Sequence, residues 1–350
     1  MNKLCAVLIL LLVPTAHAEN LFKNDFYQQI DPELHEIINA AHEENYPKAL
    51  DIIESLIERY PTHLIGYFFK AAVCDSIIRD YYDYRFKPIF FEAANKAIEL
   101  GWKHVEDAEK RGIRPDPWII FYLGGSHGYR GTQYFYDGQF FSALKDGLTA
   151  VKALKRCLNE NPKIYDVYFG LGTFYYWKSA KAKYLTFLPF ISDEREKGIK
   201  YLQLTTEKGF YTVLEAQYAL TRIYFNEKRF DDGFRINNLI ADLYPRDIFC
   251  LIQKGEALME LKRWQEASEN YRLLLTLLSE SQLHCFERIA EIALLRTHAL
   301  EALNDSSEIE FTYQILLNEK ERREKYEFIS ERSLAFVSEL TKIRNSITTH

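Results

Sequence analysis

Apolar side chains recur at helical spacing along most of the chain, and at one offset they recur as a set. Leu220 and Thr221 align with Lys254 and Gly255, Tyr224 with Leu258, Phe230 with Trp264, Gly233 with Ala267, Asn237 with Tyr271, and Ile240 with Leu274, all 34 residues apart. A polar break divides each copy, at residues 226–229 and 260–263. Each copy therefore reads as two helices joined by a tight turn. A small residue in the second helix lets the first approach closely, and aromatics fill the gaps on either side.

The same spacing predicts seven helix pairs, near residues 32–60, 64–111, 116–160, 164–208, 213–244, 247–280 and 283–325. Pro61, Pro115, Pro162 and Pro245 fall at the junctions, where a residue that cannot continue a helix is expected. Residues 86–112 and 137–161 each read as one helix of about six or seven turns. A last helix near 326–346 carries Tyr326, Ile329, Leu334, Val337, Leu340 and Ile347, which suggests one buried face. The charged run 319–325 before it reads as a solvated face in keeping with a terminal cap. From Leu171-Gly172 to Leu220-Thr221 the spacing is 49 residues, and most of the excess lies between Tyr175 and Gly198. An insertion at 177–191 accounts for it.

Gly255, Leu258, Trp264, Ala267, Tyr271 and Leu274 together resemble the signature of the tetratricopeptide repeat, a 34-residue helix hairpin. Tyr46, Ala49, Ile53, Leu56 and Pro61 match it a second time, and Tyr168, Leu171, Gly172 and Tyr175 a third. The resemblance implies an all-α, right-handed superhelical solenoid of such hairpins with a C-terminal capping helix. It also implies that the first helix of each pair lines a concave face that binds a protein or peptide partner.

Residues 1–18 read as an address label rather than as part of that solenoid. Lys3 precedes an apolar run from Leu4 to Val13, and Ala16-His17-Ala18 supplies the small residues of a cleavage site. The run is too short to cross a bilayer, which takes about 20 residues. Cleavage after Ala18 would leave residues 19–350 as one solenoid and take the net charge from −6 to −7, because Lys3 alone among charged groups is lost. The protein is expected in the periplasm or outside the cell, and the short leader without a disulfide-dense pattern points to a periplasm.

Charge and composition narrow the choice further. With 44 Lys+Arg against 50 Asp+Glu, the chain lacks the basic surface that nucleic acid requires. Only 15 Gly and 10 Pro are present, too few for a turn-dense β-sandwich or barrel. Cys74, Cys157, Cys250 and Cys285 remain after the leader. Cys250 and Cys285 sit near the starts of neighbouring first helices, whose axes pack about 8–10 Å apart, too far for an unstrained disulfide. All four are expected as free thiols.

One stretch imitates an active site. Gly124-Gly125-Ser126-His127-Gly128 satisfies the G-x-S-x-G pattern of a hydrolase nucleophile elbow, and residues 117–123 before it could be a strand. The competing alignment sets Leu123-Gly124 against Leu171-Gly172, as small positions of a first helix. No metal pattern, phosphate loop or cofactor motif occurs.

On the concave face the pattern places Asp166, Phe169, Thr173 and Tyr176 in one repeat, Glu215, Tyr218, Arg222 and Phe225 in the next, and Phe249, Ile252 and Glu256 in the third. Aromatics and Arg are the usual interface anchors. These residues are expected to hold a protein or peptide partner, or alternatively an envelope carbohydrate stacked on the aromatics. The 177–191 insertion mixes Lys178, Lys181 and Lys183 with Tyr184, Leu185, Phe187, Leu188, Phe190 and Ile191. It reads as a packed loop, a lid over the groove or a peripheral membrane contact.

Overall fold

The computed structural model describes residues 25–181 and 192–348. The leader expected at 1–18 and the expected insertion from residue 182 onward lie outside them. The described residues form fifteen α-helices and no strand. Fourteen make seven antiparallel pairs: α1 Asp25–His42 with α2 Tyr46–Arg59, α3 Leu64–Tyr81 with α4 Phe86–Lys110, and α5 Pro117–Tyr136 with α6 Phe140–Glu160. Then follow α7 Val167–Ala180 with α8 Arg195–Lys208, α9 Val213–Asn226 with α10 Phe230–Leu243, α11 Ile248–Glu260 with α12 Trp264–Glu280, and α13 Phe286–Leu303 with α14 Ser306–Arg323. The last helix, α15 Glu331–Thr348, packs on α13 and α14.

Five of the turns within pairs share one device. Glu44, Gly138, Lys228, Lys262 and Asn304 sit at φ between 56° and 73°, the left-handed region. The next residue's N–H reaches back five positions, as from Arg229 to the Tyr224 carbonyl (2.8 Å) and from Arg263 to Leu258 (2.9 Å). This closure satisfies carbonyls left open at the helix end. The second helix starts two residues after the left-handed one, at Tyr46, Phe140, Phe230, Trp264 and Ser306. The polar break followed by an aromatic is the trace of this turn in the sequence.

Small residues set how closely paired helices approach. A Cβ added to Gly172 would lie 2.8 Å from the Gly198 carbonyl, and one on Gly198 would lie 2.6 Å from the Gly172 carbonyl. The α7 and α8 backbones therefore touch where both lack side chains. Gly255 receives the Tyr271 ring, which a Cβ would meet at 2.4 Å.

The pairs do not touch only their neighbours. Helix α1 lies across the starts of later first helices: the Tyr211 hydroxyl donates to Asp31 (2.7 Å), Tyr244 to Asn39 (2.8 Å), and the Ile248 N–H to Glu44 (2.8 Å). The end of α3 meets the start of α13. The buried Arg288 guanidinium donates to the carbonyls of Asp80 (3.0 Å) and Arg79 (2.6 Å), and lies 3.6 Å from the Tyr82 ring centre. The His284 N–H donates to Asp83 (2.9 Å). The superhelix thus winds until its first two pairs meet its last three. In a repeat stack each pair ordinarily contacts mainly its neighbours, and this seam departs from that.

Two further expectations change. Within the 319–325 run, Arg323 is fully buried and donates to the carbonyls of Leu283, Leu278 and Ser281. It ties α14 to the turn before α13 instead of facing solvent. On α15, Leu340 is buried but Leu334 is exposed, and Ile343 packs against the core in its place. The four cysteines are buried, free and in separate surroundings. Burial pushes the thiols of Cys74, Cys250 and Cys285 up to about 12, so they are inert as thiolates.

Candidate binding groove

Because the superhelix closes, its inner face encloses a groove. The first helices of successive pairs turn into it, and two cavities of about 510 and 260 Å³ open from it. Both are bordered by Arg79, Tyr136, Arg222 and Phe249, so they are two ends of one space.

Eight of the eleven sequence-predicted concave residues line this space. Phe169, Thr173, Glu215 and Tyr218 face the smaller cavity, Ile252 and Glu256 the larger, and Arg222 and Phe249 both. The other three are elsewhere, which corrects their assignment. Asp166 is buried and accepts the backbone N–H groups of Phe210 (3.0 Å), Tyr211 (2.6 Å) and Thr212 (2.8 Å), fixing the entry to α9. The Tyr176 hydroxyl donates to Glu227 (2.7 Å) and accepts from Asn226 (2.7 Å), joining α7 to the end of α9. Phe225 is buried against Phe230 and Phe234 within its own pair. Tyr218, although it borders the cavity, is buried and spends its hydroxyl on Asp247.

The narrow end holds a charged network across the seam. His42 of α1 faces Asp247 at 3.1 Å and Glu215 at 3.9 Å, and stacks on Tyr218 with ring centres 5.5 Å apart. Burial works against its charged form, yet the hydrogen bonds to Asp247 and Glu215 prevail and raise the imidazole to about 9. Glu44 accepts from the Ile248 N–H and from the Tyr81 hydroxyl (2.7 Å). Burial, with Asp80 and Asp247 close by, pushes its carboxyl up to about 8. Arg79 chelates Asp80 through two bonds of 2.7 Å and lays its guanidinium 4.0 Å from the Phe249 ring centre.

The wide end has polar atoms without partners. The Gln133 amide donates to Asp75 (2.8 Å) and the Gln253 amide to the Tyr218 carbonyl (3.2 Å), which fixes both orientations. Their carbonyl oxygens, and the Tyr271 hydroxyl, are buried with no hydrogen-bond partner among the described residues, and all three residues border the larger cavity. Arg222 lies 5.2 Å from the Trp177 ring. Glu256 reaches solvent, yet the protein crowding it within the groove desolvates its carboxyl and pushes it up, against the pull of Arg222 and Arg288.

Neither Gln133 nor Gln253 stands out in the sequence. Gln253 sits beside the named Ile252, one helical step away. Tyr271 was read only as a repeat aromatic. Gln133 had no repeat alignment to place it.

The nucleophile-elbow reading of Ser126 is overturned. Ser126 lies within α5, buried, its hydroxyl donating to the Tyr122 carbonyl one turn back (2.8 Å). The pattern requires a sharp strand-to-helix turn that exposes the hydroxyl. His127 is occupied on both ring nitrogens, by Asp146 (2.8 Å) and by the Trp102 indole N–H (3.2 Å). Gly124 instead receives Leu154 of α6, in keeping with a packing role.

No family profile matches the chain, and no curated protein does. Among solved structures the fold is similar to tetratricopeptide-repeat proteins. One is a thermophilic protein of this kind from Thermus thermophilus, with 16% identity over 65% of this chain and 98% of that one, TM-score 0.41. Another is from Parabacteroides merdae, with 13% identity over 90% and 99%, TM-score 0.40. A third is yeast Tom70, with 11% identity over 89% and 85%, TM-score 0.36.

Proposed function

We propose that this chain is an exported interaction scaffold that holds a short segment of a protein partner inside its closed superhelix. The observation that carries the reading is the set of partnerless acceptors at the wide end. Gln133 and Gln253 border the space with carbonyl oxygens that no described group satisfies, and an unpaired buried acceptor costs about 1–3 kcal/mol, so a ligand whose N–H or O–H donors reach them is favoured there. Arg222 and Glu256 add a basic and an acidic side chain to the same lining. A peptide supplies backbone N–H donors and both signs of side-chain charge. The leader at 1–18 supports export, and a periplasmic site is part of the proposal.

A carbohydrate reading has less to stand on. The Phe249 ring carries Arg79 on a face and the Tyr82 ring carries Arg288, so these aromatics are already stacked by protein groups.

The test is capture of a partner from the native envelope by the tagged protein, compared with a variant carrying Phe169→Ala, Arg222→Ala and Glu256→Ala. Phe169 is half-buried, and Arg222 and Glu256 reach solvent within the groove, so the variant should keep its helical content and lose the partner. Truncating a true anchor typically costs about 2 kcal/mol or more. Equal capture by a folded triple variant would remove the groove from the site. Tyr176 and Tyr218 are unsuitable targets, since both hold helices together.

A further inference from the structure

At the rim of the groove, the α5–α6 hairpin presents an apolar tip to solvent, with a basic flank on α6 that lines neither cavity. Phe141 is 91% exposed and Phe140 62%, and Phe135, Tyr136, Leu144 and Leu148 are exposed beside them. The Phe135 and Phe140 rings lie 5.6 Å apart, so the tip is one cluster. Exposed apolar side chains scattered singly are ordinary, but a contiguous set marks a contact surface.

The charges on the same face are of one sign. At 3.6 residues per turn, Phe141, Leu144, Lys145, Leu148, Lys152 and Lys155 fall within an arc of about 100° on α6. All six are exposed. The acids of α6 are Asp146 and Glu160. Asp146 is buried and held by Arg130 and His127, while Glu160 lies at the far end. Asp137 in the turn is ion-paired with Lys87. A protein of net charge −6 thus keeps one helix face free of exposed acid along its first five turns.

We propose that this face docks on the surface of an anionic bilayer. The aromatic tip enters the boundary between headgroups and acyl chains, and Lys145, Lys152 and Lys155 lie against the phosphates. Aromatics on one side and lysines on the other are what such an interfacial helix needs, and anionic lipid supplies the charge that the face lacks. A second copy would instead bring lysines against lysines. No described helix is long and apolar enough to cross a membrane, so the contact is peripheral. Tyr136 and Asp137 border the groove but no residue of α6 does, and the proposal does not depend on the partner proposed for the groove.

Co-sedimentation of the full chain tests the proposal, with vesicles of phosphatidylcholine alone and with about 30% phosphatidylglycerol added. The residues before Asp25 are the same in every sample, so the comparison rests on variants of the hairpin. Wild-type protein should bind the anionic vesicles at least about tenfold more than the neutral ones, and this preference should vanish at about 1 M salt, where charges are screened within about 3 Å. Phe141→Ser, alone and with Phe140→Ser, should lower binding about tenfold. Lys145→Glu, Lys152→Glu and Lys155→Glu together should abolish the anionic preference while the thermal unfolding of the protein stays as in wild type. Vesicle binding unchanged in the serine and glutamate variants would overturn the proposal. So would light scattering that shows a dimer dissociated by Phe141→Ser, because the face would then be a self-association surface.

Discussion

Lys228 and Lys262 hold a left-handed backbone that side chains rarely adopt, at φ of 60° and 57°. Glycine takes that conformation without steric cost, whereas a β-branched residue fits it worst. Lys262→Val is therefore expected to destabilise the protein by about 1–2 kcal/mol, and Lys262→Gly to leave it unchanged or slightly more stable. Urea unfolding of the two variants checks this, and equal losses in both would show that the side chain matters more than the backbone. A second residue-scale prediction concerns His42 and Glu44. The imidazole is raised to about 9 in the folded chain, against an ordinary value near 6.5. Its contribution is present below the ordinary value and lost as pH rises through about 9. The Glu44 carboxyl is raised to about 8, so the folded state holds a proton there that the unfolded chain releases near 4. Both groups bind more protons when folded, so stability should fall from about pH 4 to 9, most steeply between about 6.5 and 8 where both contribute. His42→Gln should flatten the upper part of that fall in melting temperature against pH. An unchanged profile would show that His42 does not titrate across this seam.

At the scale of the element, the α7–α8 contact depends on two glycines facing each other. Gly198→Ala would set a methyl group against the Gly172 carbonyl and the Tyr176 backbone, where a Cβ comes within 2.6–2.8 Å. Neither neighbour is a flexible side chain, so the helices must separate, at a cost of about 2 kcal/mol or more. A variant as stable as wild type in urea would show that the pair yields easily. These elements were largely legible in the sequence, because each pair buries its own apolar stripe and leaves a turn signature. Tyr46, Phe140, Phe230 and Trp264 mark second-helix starts two residues after the left-handed turn. Arg323 was not legible. A charged run looks solvated from its composition, and only the fold shows three carbonyls waiting for that guanidinium. The first pair is expected only from about residue 32, whereas α1 starts at Asp25 and carries Pro32 inside it. In the groove, helical phase brought Phe169, Arg222 and Glu256 to the inner face but misplaced Asp166, Tyr176 and Phe225. A period gives the direction of a side chain from its own axis. It does not say whether a neighbouring helix has already covered it.

The whole molecule differs from an open array in one respect, and its inner space follows from it. The period of 34 predicts stacked pairs, but nothing in one repeat encodes how far the stack turns. The turn is closed by singular residues: His42 and Glu44 against the start of α11, and Arg288 against the end of α3. Closure converts a concave face into a cavity with partnerless Gln133 and Gln253 acceptors, on which the proposed function rests. Closure is tested most directly by the distance between the loop after α3 and the start of α15. Tyr84 and Arg332 are both exposed and approach the same carboxylate, Glu287, at 3.5 and 3.1 Å. Nitroxides on Tyr84→Cys and Arg332→Cys, with Cys5→Ser and the four buried thiols left in place, can be measured by double electron–electron resonance. A closed superhelix gives a distance of about 20 Å or less, allowing for the labels. An open stack with these sites five pairs apart, at about 8–10 Å a pair, gives about 40–50 Å and would contradict the closed inner space.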